Sequence, residues 1–333
     1  MLRVAVDAMG GDYSPFEIVK GVISAVNGSD DLEILLVGSE EAIKNSTDRD
    51  LDPRRIKIIN AEEVIGNNED PGLAIRSKKK SSMVTAMRLV REGEADAVIS
   101  AGNTGALMAG GLLFLDRLSG IKRPALLSVI PSFEGSGVVL LDIGANMDAK
   151  PEHLLHYALM GKIYAKEVLG RDNPRVALLN VGIEEKKGNA QVKNAYQLIK
   201  DRVTNFVGNV EAKEIFQNTA DVLVCDGFVG NVMLKTIEGM ARDIFAYLRQ
   251  EIKKDPKAYH ASEMLNPIFE KIRSSLDESE YGGGLLIGLK GVCFKCHGAS
   301  KEKAITQALL KQVYPFLKKN TNKKIEEALK QNT

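Results

Sequence analysis

The 333-residue chain has no tryptophan, three cysteines and four histidines. An odd number of thiols argues against a disulfide framework, and Met1 to Gly11 lack the basic segment, apolar stretch and small-residue cleavage site of a secretory leader. A cytoplasmic protein with reduced cysteines is expected. No window reaches the roughly 20 uninterrupted apolar residues of a spanning helix. Lys and Arg number 45 against 44 Asp and Glu, so no overall field draws nucleic acid, and a charge-guided partner must meet a local patch. Three named motifs are also missing: G-x-x-x-x-G-K-S/T for a nucleoside triphosphate, G-x-G-x-x-G for a dinucleotide and G-x-S-x-G for an activated serine.

What is present is ordinary in bulk and patterned in detail. An apolar content of 44% with 27% charged residues suits a soluble globular protein large enough for one domain with an appendage, or for two. Short apolar runs alternate with longer helical patterns, which predicts a mostly parallel sheet covered on both faces, a three-layer α/β/α fold. The predicted strands are Arg3 to Asp7, Glu33 to Val37, Ile56 to Ile59, Ala95 to Ser100, Ala125 to Ile130, Val138 to Asp142, Arg175 to Asn180, Asn205 to Val207 and Val222 to Asp226. Between Ile130 and Val138 the seven residues Pro131 to Gly137 are too few for a crossover helix, so an antiparallel excursion is expected there.

From Val229 the pattern changes. Met233, Ile237, Met240, Ile244, Leu248 and Ile252 recur by threes and fours; after Asp255-Pro256, Met264, Ile268, Ile272 and Leu276 recur by fours. Two amphipathic helices forming a protruding hairpin are predicted, suited to dimer packing, membrane contact or shelter of an acyl chain. The expected organisation is a core of 1–228 with 281–318, a hairpin of 229–280 and a solvated, polar tail of 319–333.

The chemistry is expected where strands end. Ser100 leads into Ala101-Gly102-Asn103-Thr104-Gly105, Asp142 into Ile143-Gly144-Ala145-Asn146, Asn180 into Val181-Gly182 with Lys187-Gly188-Asn189 beyond, and Asp226 into Gly227-Phe228-Val229-Gly230-Asn231. In an open parallel sheet the carboxyl ends of strands line one edge, glycines permit close backbone approach, and the following helix offers unpaired N–H groups to an anion. Such turns also use Gly, Asn and Asp merely for backbone conformation and capping; four of them together favour a phosphate site. Asp148 to His153 reads as a helix start, placing a neutral His153 near a helix N-terminus and Lys150 beside Asn146. Arg76, Lys78, Lys79 and Lys80 form the strongest positive patch. Cys293 to His297 matches C-x-x-C-H, yet haem attachment needs export and zinc needs further ligands, so idle thiols are the default.

Taken in order, Val6-Asp7-Ala8-Met9-Gly10-Gly11-Asp12, Ser100 to Ala106, Asp142 to Asn146, Asn180 to Gly182 with Lys187 to Asn189, and Asp226 to Asn231 resemble the motifs of bacterial phosphate acyltransferase, PlsX, over Met1 to about Ala308. The resemblance implies a fold like phosphotransacetylase and isocitrate dehydrogenase, and transfer of a fatty acyl group from acyl carrier protein to inorganic phosphate. It further implies a homodimer in contact with membrane, feeding a downstream glycerol-3-phosphate acyltransferase. No cofactor and no metal are expected, because phosphate can attack a thioester directly and the leaving thiol has a pKa of about 8.5. Under this reading phosphate goes to Asn103-Thr104-Gly105 and to Asn146 through Lys150, with help from Lys187. Asp7, Gly10, Gly11, Gly188, Asn189, Asp226 and Gly227 line the substrate, and Asn231, His153 or His297 faces the oxyanion. The Arg76 to Lys80 patch docks the acidic carrier protein. Two other readings remain open at this point: an isocitrate-type dehydrogenase, for which no acidic metal cluster or arginine-rich pocket is legible, and a phosphate or acyl-ligand sensor without catalysis.

Overall fold

A computed structural model describes residues 1–48, 51–132, 137–275 and 283–331. The strands are β1 (Leu2–Asp7), β2 (Leu32–Gly38), β3 (Ile56–Asn60), β4 (Ala97–Ser100), β5 (Ala125–Ile130), β6 (Val138–Leu141), β7 (Val176–Asn180), β8 (Phe206–Glu211), β9 (Val222–Val224), β10 (Gly284–Ile287) and β11 (Val292–Lys295). Around them lie α1 (Phe16–Asn27), α2 (Glu40–Lys44), α3 (Pro71–Ser77), α4 (Ser82–Arg91), α5 (Thr104–Phe114), α6 (Pro151–Glu167), α7 (Ala190–Arg202), α8 (Gly227–Lys254), α9 (Pro256–Ser275), α10 (Glu302–Gln307), α11 (Tyr314–Lys318) and α12 (Thr321–Gln331). All strands join one sheet in the order β3-β2-β1-β4-β11-β10-β5-β6-β9-β7-β8. Runs such as Val4 to Val6 and Val138 to Leu141 are buried because both sheet faces are covered. One face packs Ile18, Tyr157, Tyr164, Ile305 and Phe316; the other packs Ile75, Met83, Met87 and Leu107. A smaller cluster of Ile143, Leu223 and Met233 lies under the start of α8.

The antiparallel excursion is present: β5 pairs antiparallel with β6. Of the connecting residues, 133–136 lie outside the described ones. Sequence periodicity missed β10 and β11, which insert side by side between β4 and β5. Their effect is large. Strand β10 runs antiparallel to both β11 and β5, and β5 antiparallel to β6, so the β1–β4–β11 half and the β6–β9–β7 half run in opposite senses. The expectation that four loops line one edge of one parallel sheet is therefore corrected. Residues that follow strands of both halves nevertheless line one cavity, Thr104 after β4 and Ile143 and Gly144 after β6.

The hairpin helices are present and start earlier than the expected 229, because Asp226 caps α8 and starts it at Gly227, while the expected end at 280 lies outside the described residues. The two helices are bridged by Arg249 and Glu270 at 3.8 Å. Met240, Ile244, Tyr247, Met264 and Ile268 are exposed along it, whereas Leu276 lies outside the described residues. Among the described residues no helix is long and apolar enough to cross a membrane. The solvated tail is also corrected. Thr321, Ile325 and Leu329, spaced by four, form one buried face of α12 that docks on α6, so polarity of the other face had hidden an amphipathic helix.

Candidate active site

The site grows from three adjacent strand ends. Register aligns Asp7 of β1, Ser100 of β4 and Lys295 of β11 in one row across the sheet. The Ser100 hydroxyl donates to Asp7 Oδ2 at 2.6 Å, Met9 N–H donates to Oδ1 at 3.2 Å, and burial pushes the Asp7 carboxyl above its usual pKa. The turn above has no room for side chains. A Cβ on Gly10 would lie 2.6 Å from Gly102 N and 2.7 Å from Asp7 Oδ2, and Gly11 takes a φ of +104° that lets Asp12 N–H reach Gly298 O at 2.8 Å. The β1, β4 and β11 turns are thereby stitched together.

Beside them opens a cavity of about 700 Å³. Its walls are apolar along Leu126, Val129, Ile130, Ile143, Leu234 and Ile237, while Thr104, Asn231, Lys235, Lys295 and His297 supply polar atoms. One helix supplies much of one wall. Asn231, Leu234, Lys235 and Glu238 follow helical spacing along α8, which then continues out into the hairpin. A few well-placed polar groups on an apolar cleft of this size suit an amphiphilic ligand.

His297 is defined further by its bonds. Its Nδ1 accepts the Ala299 N–H at 3.2 Å, and burial followed by the Lys235 charge holds its pKa below the usual histidine value. The neutral ring then carries its proton on Nε2, a donor.

Thr104, Asn231 and His297 therefore share the cavity, but several other predicted partners are engaged elsewhere. The Asn103 side chain caps α5 through Ala106 N–H at 3.0 Å and donates to the carbonyls of Gly66, Asn67 and Glu69, leaving nothing for phosphate. Gly105 packs against Pro71. The turn after β6 is closed by its own carboxylate: Asp142 accepts N–H groups from Leu126, Gly144, Ala145 and Asn146 together with the Asn146 amide, at 2.7–3.1 Å. Asn146 completes its own bonding at Pro124 O. His153 caps α6, its Nδ1 taking the Lys150 N–H at 3.1 Å, and it is absent from the cavity wall.

Lys150 and Lys187 stand exposed on loops outside the cavity wall. Gly188 packs on Asn180, Asn189 caps α7, Asp226 caps α8, and Gly227 abuts the Asn146 backbone. In the basic patch Lys78 pairs with Glu69 at 2.7 Å and Lys80 with Glu62 at 3.1 Å, so among the described residues Arg76 and Lys79 carry its uncompensated charge. Sequence reasoning missed Lys235 and Lys295. The latter was legible in principle, since Val-Cys-Phe-Lys is an apolar run ending at a turn, but the C-x-x-C-H match hid it. Cys293 and Cys296 are buried with pKa values pushed up to about 12, as inert thiols should be. Among the described residues no group of three or more His, Cys, Asp or Glu is placed to hold a metal.

The architecture is that of the phosphotransacetylases. A phosphotransacetylase from Streptococcus pyogenes matches with a TM-score of 0.60 at 16% identity, covering 95% of this chain and 94% of that one, and the EutD phosphotransacetylase from Staphylococcus aureus matches with 0.57 at 12%, covering 98% and 94%. Within that fold the chain belongs to the phosphate acyltransferase, PlsX, family and is an acyltransferase. A family model described as "Fatty acid synthesis protein" matches residues 2–324. Phosphate acyltransferases of Brevibacillus brevis and Bacillus pumilus are 46% and 47% identical over 332 residues, covering 100% of this chain and 98% and 99% of theirs.

Proposed function

We propose that this enzyme transfers a fatty acyl group from the thioester of acyl carrier protein to inorganic phosphate, yielding an acyl phosphate for phospholipid synthesis. The observation that carries the reading is the cavity, whose apolar walls fit an acyl chain and whose polar groups lie next to the glycine turns of β1, β4 and β11. A phosphate oxygen attacks the carbonyl carbon, a tetrahedral oxyanion forms, the carbon–sulfur bond breaks and the carrier's thiolate leaves; no covalent enzyme intermediate is needed. The protein's task is positioning and oxyanion stabilisation, which we assign to the His297 Nε2–H and the Asn231 amide. Lys150 and Lys187 serve as outer charges that draw the dianion inward. Arg76 and Lys79 form the dock for the acidic carrier protein, and the exposed hairpin stripe packs against a second copy of the chain in the cytoplasm.

Incubation with acyl carrier protein thioester and phosphate should yield free carrier thiol and acyl phosphate in equal amounts. Thioester left intact would sink the reading, as would thiol released equally without phosphate. Sedimentation of the pure protein with and without lipid vesicles checks the hairpin: a dimer that stays off vesicles is expected, and a monomer pelleting with them would reassign the stripe to membrane.

A further inference from the structure

Four lysines reach the cavity wall, and their surroundings differ. Lys235 pairs with Glu238, Lys301 lies 5.1 Å from the centre of the Tyr13 ring, and Lys303 has its own contact. Lys295 stands apart. Its Nζ donates to two carbonyls, Ala101 O at 3.1 Å and Cys296 O, and among the described residues no carboxylate lies within ion-pairing distance. Asp7 and Asp12 act on it only through space. An ammonium has three N–H donors, and one held largely out of water without a counter-charge is costly unless a ligand supplies that charge. Burial accordingly pulls its pKa down to about 8.

We infer that Lys295 is the cation that binds the acceptor phosphate, its third N–H meeting a phosphate oxygen beside Thr104 and His297. This rests on the phosphate acyltransfer proposed above and names the residue that recognises the acceptor. The two carbonyls aim the ammonium, and the Asp7–Ser100–Lys295 row fixes its strand end, so the charge is preset before phosphate arrives. The acyl chain's apolar walls lie along β5 and α8, which separates donor from acceptor in one cavity.

The test combines calorimetric titration of inorganic phosphate into the full chain with steady-state kinetics, for wild type, Lys295→Met and Lys295→Arg. Lys295→Met should raise both phosphate Kd and phosphate KM roughly tenfold or more, with the acyl-donor KM changed less than about threefold, and Lys295→Arg should restore most of the loss. A folded Lys295→Met protein with unchanged phosphate Kd and KM overturns the inference. Should the Met variant fail to fold, pH decides. The groups facing the ammonium are Asp7 and Asp12 from the β1 end, Lys235 from α8, the neighbouring Cys296 thiol and His297 in the turn after β11, whose pKa is already held below the usual histidine value. Lys295 is charged below about pH 8, so wild-type phosphate affinity should fall as pH rises through that value. It should stay level in Lys295→Arg, whose guanidinium does not titrate there. A level wild-type profile overturns the inference. Failure of the broader reading looks different: wild type would bind phosphate but release no carrier thiol.

Discussion

The turns after β4 and β6 look alike in sequence, Ala-Gly-Asn-Thr-Gly against Ile-Gly-Ala-Asn, and do opposite things. After β4 the Asn103 side chain is spent on capping, yet Thr104 remains on the cavity wall near Lys295. After β6 the backbone N–H groups an anion would use are filled by Asp142, and α8 presses on the Asp142 carbonyl so closely that a Cβ on Gly230 would lie 1.9 Å from it. A glycine- and asparagine-rich turn is therefore an anion site only if the chain's own carboxylate does not occupy it first. The β6 turn lends Ile143 and Gly144 to the cavity wall but its N–H groups are taken, whereas the β4 and β11 turns bring polar side chains, Thr104, Lys295 and His297.

Gly230→Val should disrupt the β6 turn most, costing about 3 kcal/mol or more because the opposing atom is backbone and cannot yield. Chemical denaturation reads the loss, and wild-type stability would refute the close approach. Asp142→Ala should cost about 3 kcal/mol by leaving several buried N–H donors unmet, while the surviving folded fraction keeps its phosphate KM. A phosphate KM that rises sharply instead would put Asp142 at the phosphate site. On the cavity wall, His297→Ala should lower kcat by about a hundredfold. His153→Ala should instead cost about 1 kcal/mol of stability as a lost cap, with turnover preserved. Equal kcat losses would erase the distinction between the two histidines. The smallest effect is expected of Lys187→Ala, a rise in phosphate KM of about two- to threefold that vanishes at high salt, as befits an exposed charge. A salt-independent rise would move Lys187 into the cavity.

The legible part of the fold was local. Strand runs such as Val4 to Val6, the short β5–β6 link and the three- and four-residue spacing of α8 each follow from neighbouring residues alone. The strands β10 and β11 were illegible because glycines at 282–284, 288 and 291 bracket them and read as loop, and because the C-x-x-C-H match drew attention from the apolar run of β11. The tail's buried face escaped because two apolar residues and a threonine among lysines look solvated until α6 supplies the surface they cover. In the site, Thr104 was expected to hold phosphate and Asn231 or His297 to face the oxyanion, and the structure places all three on one cavity wall. Asn103 and Asn146 were given ligand roles, although their amides satisfy carbonyls 34 and 22 residues away, separations that no spacing rule encodes; His153 was given one too, although it closes a local cap with Lys150.

The amino-acid sequence by itself determined the layered α/β class, the glycine-marked strand ends and, through ordered motifs, the acyltransferase family. Those properties live in periodicity and residue type. Only the tertiary structure decided which turns are open, because occupancy of a backbone N–H depends on what a distant segment brings to it. It also decided that Lys295 stands at the cavity wall with no carboxylate in ion-pairing distance among the described residues, since an unpaired charge is defined by the partners that three-dimensional packing withholds.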